Sequence, residues 1–192
     1  ALVARRKGQN DKKDANRVLM TAFILAMVLV FTVGMLSIIF ASPLIHFAGS
    51  EADTHEAAVL YFRIIMGGLV FNVISLVINA AKRGSGNTKI AMRTNLTSNL
   101  VNVVFNFLLI EGRFGFPAHG VKGAAIATVL GTMVACGMSI ASLFNKNSFV
   151  SVPYIIREKI RASFGTLKQI FGLASNVFIE QIFLRLGFMS VS

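Results

Sequence analysis

The chain has 192 residues, of which 55% are hydrophobic and only 14% charged, and its mean hydropathy is +0.70. Apolar runs on this scale exclude an ordinary soluble domain and place the chain among membrane proteins. The net charge of +11 does not point to nucleic acid, because the basic residues lie in short loops flanking apolar blocks, where they set topology and meet anionic lipid.

Residues 5–17 form a basic polar turn, with Ala1 to Ala4 reading as the tail of an earlier helix. They lack the apolar core and small-residue cleavage site of a signal peptide. Asp14, Ala15 and Asn16 lead into a helix starting near Arg17. Block 18–45 has little polarity beyond Thr21, Thr32 and Ser37, so much of it can face lipid, and Pro43 marks its outer end. Residues 46–58 make a short outer connection that runs on as the first turn of the next helix.

Block 59–80 places Asn72, Ser75 and Asn79 at i, i+3 and i+7, on one helical face that must avoid lipid. Block 91–110 does the same with Asn95, Asn99, Asn102 and Asn106 at i, i+4, i+7 and i+11. Block 123–144 opens with Gly123, Ala127 and Gly131 at four-residue spacing, a seam for close helix approach, and adds Thr128, Thr132, Ser139 and Ser142. Cys136, the single cysteine, lies in this block; it offers no disulfide framework or Cys-based metal site and is expected to pack. In segment 145–168, Ile156, Ile160, Ser163, Phe164 and Leu167 fall at helical spacing among Arg157, Lys159, Arg161 and Lys168, which predicts a basic amphipathic helix on the cytoplasmic interface. A last span, from about Gln169, carries Asn176, Glu180, Gln181 and Arg185. It reaches Ser192 without a charged flank, so both ends are expected to be cuts in a longer membrane protein.

The five blocks, about 18–45, 59–80, 91–110, 123–144 and 169–192, are each near the roughly 20 residues that cross a bilayer. Lys plus Arg along the loops run six in 5–17, none in 46–58, four from Lys82 to Arg93, two (Arg113, Lys122) and five from Lys146 to Lys168. Basic residues stay on the cytoplasmic side during insertion, so loops 5–17, 81–93 and 145–168 face the cytoplasm. The Lys-free loop, with Glu51, Asp53 and Glu56, faces out. The fold class is therefore all-α, a polytopic membrane helix bundle.

Glu180 is the sharpest single residue, since a carboxylate at the bilayer centre costs about 2.5–3.5 kcal/mol or more. An ion pair with Arg185 does not explain it, because five residues along a helix is about 140° of rotation. The Asn stripe of 91–110 fits either interhelical glue or the lining of a cavity, as Asn carbonyls can coordinate Na⁺ and its amides can donate to substrates. Asn102 and Asn106 lie deepest. Asn72, Asn79 and Asn99 are further cavity-lining candidates. Asn95-Leu96-Thr97 matches a glycosylation acceptor on the wrong side of the membrane, and Gly84-Ser85-Gly86 lacks the strand that a phosphate loop needs. His46, His55 and His119 have no zinc-ligand spacing. Arg63 lies opposite the Asn72 face near an outer interface, where its side chain snorkels. No catalytic arrangement of Ser, His, Asp or Cys can be drawn, so an enzyme is not expected.

Arg83-Gly-Ser-Gly-Asn-Thr-Lys89, Asn102-Val-Val-Phe-Asn106 and the run Gly112-Arg-Phe-Gly-Phe-Pro-Ala-His-Gly-Val-Lys-Gly-Ala-Ala-Ile-Ala-Thr128 together resemble the multidrug and toxic compound extrusion (MATE) family. The likeness extends to the basic turn with Gly8 and to Tyr61-Phe-Arg-Ile. It implies a partial MATE-type fold: twelve helices in two six-helix lobes, of which this chain has about five, from the end of helix 2 to most of helix 7. Residues 1–144 would belong to the amino-terminal lobe, 145–168 to a cytoplasmic link, and 169–192 to the first helix of the carboxy-terminal lobe. The resemblance implies export of cationic or amphipathic xenobiotics in exchange for H⁺ or Na⁺ by alternating access, with no other cofactor. It places Asn102, Asn106 and Thr128 at a cation site, with Na⁺ a candidate ligand, and Glu180 at the acidic position on helix 7 of some branches. Many members have Asp where this chain has Asn106, and the family's helix 1 Asp would lie before Ala1. The expected partners are the xenobiotic substrate, membrane lipids and the rest of the same chain, with no nucleic acid. The alternatives are a lipid or lipid-linked saccharide flippase of the same superfamily, disfavoured because intramembrane Arg is limited to Arg63 and Arg185, and a non-transporting receptor or scaffold, which leaves the polar stripes unexplained.

Overall fold

The computed structural model describes residues 1–49, 54–110, 112, 120–145 and 147–191, with side chains as far as Leu184. Among these residues the chain is helical throughout: α1 (Leu2–Gly8), α2 (Lys12–Ile39), α3 (Ala41–Phe47), α4 (His55–Gly84), α5 (Thr88–Leu109), α6 (Gly120–Leu143), α7 (Val152–Arg157) and α8 (Phe164–Val191). Each of the five apolar blocks lies in helix, so the expected all-α membrane bundle stands. By length and composition alone α2, α4 and α6 can each cross a membrane. α5 has 22 residues, about 33 Å of helix, and its Asn stripe makes it more polar than they are.

Helix ends follow local chemistry more closely than apolar composition. The Asp11 side chain caps α2 by accepting from the Asp14 backbone N–H at 2.9 Å, so the helix begins at Lys12 rather than near Arg17, and the basic turn shrinks to three residues. The outer end of the first block also differs from expectation. Pro43 has no N–H for the Ile39 carbonyl, so α2 stops at Ile39 and the chain restarts as the short α3. The last span begins at Phe164, before Gln169.

α1, α4 and α7 end in Schellman motifs, each with the residue after the cap in the left-handed region. In α1 this is Asn10 (φ 56°), with Asp11 N–H bonded to Arg6 O at 2.9 Å; in α4 it is Gly86 (φ 85°), with Asn87 N–H bonded to Lys82 O at 2.9 Å. Gly86 thus serves to stop a helix, which accounts for the isolated Gly-Ser-Gly. In α7 it is Lys159 (φ 49°), with Ile160 N–H bonded to Ile155 O at 3.0 Å. This stop corrects the prediction of one amphipathic helix through 156–167. Instead α7 ends at Arg157 and α8 begins at Phe164, with a non-helical stretch over 158–163 between them; Ile160 turns inward and is buried, and Ile156 and Phe164 are exposed.

The main packing joins α4 to α6, α5 to α6 and α2 to α4. The predicted small-residue seam is the α5–α6 contact. A Cβ on Gly123 would lie 2.5 Å from Leu109 O, and one on Gly131 would lie 2.8 Å from Ser98 O, so neither position admits a side chain without moving backbone. Ala127 between them is fully buried, and Cys136 is buried as expected. A compact apolar cluster of Val3, Val18, Leu19, Ile78, Ala81, Leu143 and Val150 joins α1, α2, α4, α6 and the following link at the basic end of the bundle.

Candidate functional site

The α5–α6 seam holds a short polar chain that runs from Asn106, in the last turn of α5, through Asn102 to Thr128 on α6. Asn106 Nδ2 donates to Asn102 Oδ1 at 3.0 Å, Asn102 Nδ2 donates to Thr128 Oγ1 at 3.1 Å, and Thr128 Oγ1 donates to Ala124 O at 3.0 Å. The three residues come from two helices, Asn102 and Asn106 from α5 and Thr128 from α6. All three are half-buried. The Asn106 Oδ1 carbonyl oxygen is enclosed and accepts no hydrogen bond within the described structure. A buried carbonyl left unpaired costs about 1–3 kcal/mol unless a donor or cation reaches it. The oxygens of Asn106, Asn102 and Thr128 are neutral and hard, a donor set suited to a weakly held hard cation.

The rest of the α5 stripe leaves cover toward the helix start, where Asn95 and Asn99 are exposed. Next to them, Ser98 Oγ donates to Gly131 O at 2.8 Å and ties the seam. On α4 the predicted polar face divides. Asn72 is exposed, whereas Asn79 Nδ2 donates to Ser75 Oγ at 3.1 Å and Ser75 Oγ meets Ser139 Oγ of α6 at 3.0 Å, all buried. Glu180 lies exposed on α8, which packs chiefly on α2, away from the Asn102–Thr128 group. The side chain of Arg185 and residues Glu51, Asp53, Arg113 and His119 lie outside the described residues. His46 and His55, at the two ends of the outer connection, have ring centroids 6.3 Å apart, with His55 Nε2 at 3.2 Å from Ser42 Oγ.

Sequence reasoning missed a second polar construction, at the basic end. Lys82, which had counted only as a loop charge, is fully buried. Its ammonium donates to Ser142 O at 2.9 Å, Ser148 Oγ at 2.7 Å and Val150 O at 3.0 Å, so three donors meet three acceptors. Asn16, also fully buried, donates from Nδ2 to Lys12 O at 2.8 Å and Phe149 O at 3.0 Å and accepts from Ser151 N–H at 3.0 Å. Ser163 N–H reaches Thr21 Oγ1 at 3.3 Å. The segment after α6 is therefore pinned to α2, α4 and α6. A lysine at a helix end beside a small-residue loop is the only sequence signal, and it is shared with ordinary topology charges.

A profile of the MatE family matches residues 1–108, more than half of the chain. The chain belongs to the MatE family. It is 33% identical over 103 residues to a probable multidrug resistance protein NorM from Thermotoga maritima, covering 54% of this chain and 22% of that protein. It is 28% identical over 186 residues to a probable multidrug resistance protein NorM from Bacillus cereus, covering 97% of this chain and 38% of the relative. Among solved structures, an inward-facing multidrug resistance MATE family transporter of the MOP superfamily superposes with a TM-score of 0.77 at 29% identity, over 88% of this chain and 37% of that one. An outward-facing structure described in the same words gives the same values, so the likeness does not select a transport state. This MatE chain is thus a multi-pass membrane protein that spans well under half the length of the relatives it matches.

Proposed function

We propose that this chain forms part of a multidrug antiporter: most of the amino-terminal lobe in residues 1–144, the inter-lobe link in 145–168, and the first helix of the second lobe from 169. The full protein exports cationic or amphipathic small molecules by alternating access, driven by a cation gradient. The observation that carries the reading is the Asn106–Asn102–Thr128 chain with its unpaired, enclosed carbonyl oxygen. Two amides and a hydroxyl hold no proton-exchanging group near neutral pH, so this site suits Na⁺, and H⁺ would need a carboxylate such as Glu180.

The working cycle follows from those groups. Na⁺ entering the seam takes up Asn106 Oδ1 and draws the oxygens of Asn102 and Thr128 away from their internal hydrogen bonds, which stabilises one packing of α5 against α6 over another. Differential affinity for the two packings couples the ion to the state of the lobe. The test is drug export from cells carrying the full-length protein. Asn106→Ala is expected to lower export at least tenfold at unchanged membrane abundance, whereas Asn99→Ala, on the exposed part of the stripe, is expected to leave more than half. Equal export by wild type and Asn106→Ala removes the site from the mechanism. Unchanged export by Glu180→Gln would remove Glu180 from the mechanism as well.

A further inference from the structure

Two grooves that meet at the basic end of α2 are used by neither the cation site nor the helix seam. The first, about 660 Å³, is walled by Lys13, Arg17, Glu158, Lys159, Arg161 and Ser163. The second, about 280 Å³, continues from it along α2 and is lined by Thr21, Ile24, Leu25, Val28, Phe164 and Leu167. Ala162, Ser163 and Phe164 border both, so a polar opening runs directly into an apolar trough.

The charge of the opening is not balanced internally. Four cations meet one carboxylate, Glu158, on its wall, and Asp14, which pairs with Arg17 at 3.0 Å, is shared with Arg6 at 2.6 Å, so at least two positive charges are left over. The loop that carries Lys159 and Arg161 is held in place: Lys159 sits in the left-handed stop of α7, Ile160 is buried beneath it, and Ser163 N–H is tied to Thr21. The trough points the other way, along α2 toward the membrane interior, and its rim residues Val28 and Phe164 are exposed, Phe164 by 82%. Fixed cations at the interfacial level above an apolar channel match one kind of molecule, an anionic head group with an acyl chain.

We propose that this paired groove binds one anionic phospholipid from the cytoplasmic leaflet. Its phosphodiester is held by Lys13, Lys159 and Arg161, with Arg17 contributing the nitrogens that Asp14 leaves free, and one acyl chain lies along Ile24, Leu25, Val28 and Leu167. Because the groove spans α2 and the loop leading into α8, the lipid fastens the first helix beyond the link to the lobe it follows.

The test uses the full-length protein in nanodiscs of phosphatidylcholine alone or with phosphatidylglycerol, read by native mass spectrometry of retained lipid and by thermal melting. Wild type is expected to retain phosphatidylglycerol in preference to phosphatidylcholine and to melt higher with it. The Lys13→Gln/Arg161→Gln pair, both exposed positions, is expected to lower that preference roughly twenty-five-fold, about fivefold per charge. The charge-matched control Lys89→Gln/Arg93→Gln, on α5 outside both grooves, should leave it intact. Leu167→Trp, which fills the trough below intact cations, should lower retention while melting in phosphatidylcholine stays as in wild type. Equal loss in the two charge pairs means general surface attraction and overturns the site. Inorganic phosphate raising the melting point as much as the lipid does overturns the acyl-chain part, and no preference for phosphatidylglycerol in wild type overturns the whole.

Discussion

The α5–α6 seam and the α2–α8 contact are both helix pairs of one bundle, yet they are built on opposite principles. In the seam, backbone meets backbone through Gly123 and Gly131, and Asn102–Thr128 and Ser98–Gly131 hydrogen bonds cross between the helices, while the Asn106 carbonyl oxygen has no partner among the described residues. Between α8 and the facing sides of α1, α2 and α4 lies an apolar cavity of about 570 Å³, lined by Val18, Leu19, Val77, Ile170, Leu173 and Val177 among others, and the far side of α8 exposes Ile179 and Phe183. In lipid there is no hydrophobic drive between helices, so close packing and hydrogen bonds must hold them, and the seam has both. The α2–α8 pair has neither along its length and is joined mainly where Ser163 meets Thr21. Within this chain, which spans well under half the length of its relatives, α4, α5 and α6 form the firm unit and α8 is attached to it through the pinned link.

The largest effect that separates the two regions is expected from Gly123→Ala. Its Cβ would press on Leu109 backbone, an overpacking that costs about 3 kcal/mol and lowers the melting temperature of the purified full-length protein. Lys82→Met comes next. It leaves Ser142 O, Ser148 Oγ and Val150 O without their donor, a cost that the relief of no longer burying an ammonium offsets in part to leave about 2 kcal/mol net, and limited proteolysis should then cut the 144–151 link faster than wild type. Asn102→Ala removes one interhelical bond, and a loss near 0.6 kcal/mol is expected in a chemical-denaturation series, small beside its expected effect on transport. Val177→Ala, in the loosely packed α2–α8 contact, should shift stability least, by under about 0.5 kcal/mol. If Val177→Ala destabilises as much as Gly123→Ala, the contrast between the two regions fails.

Much of this was legible in the sequence, because the same physics writes the pattern and the packing. Apolar length marks the spans, and Gly123, Ala127 and Gly131 mark the seam. Spacing alone put Asn102 and Asn106 on one face, and the family resemblance added Thr128. What was hidden lies where one residue overrides a periodic pattern. Helical spacing from Ile156 to Leu167 suggested one amphipathic helix, but Lys159 adopts a left-handed stop that no composition rule foresees. Pro43 was visible, yet its effect falls four residues earlier, at the Ile39 carbonyl. Lys82 and Asn16 gave no signal, since burial of a single polar side chain depends on acceptors supplied from distant parts of the chain, at 142–151.

The central claim is that the cation reads the α5–α6 seam at Asn106, and drug uptake into proteoliposomes of the full-length protein under imposed ion gradients tests it most directly. A Na⁺ gradient is expected to drive uptake in wild type and to lose most of that effect in Asn106→Ala, with melting temperature little changed. Uptake driven by Na⁺ equally well in the variant, or driven in both proteins only by a pH gradient, would contradict it.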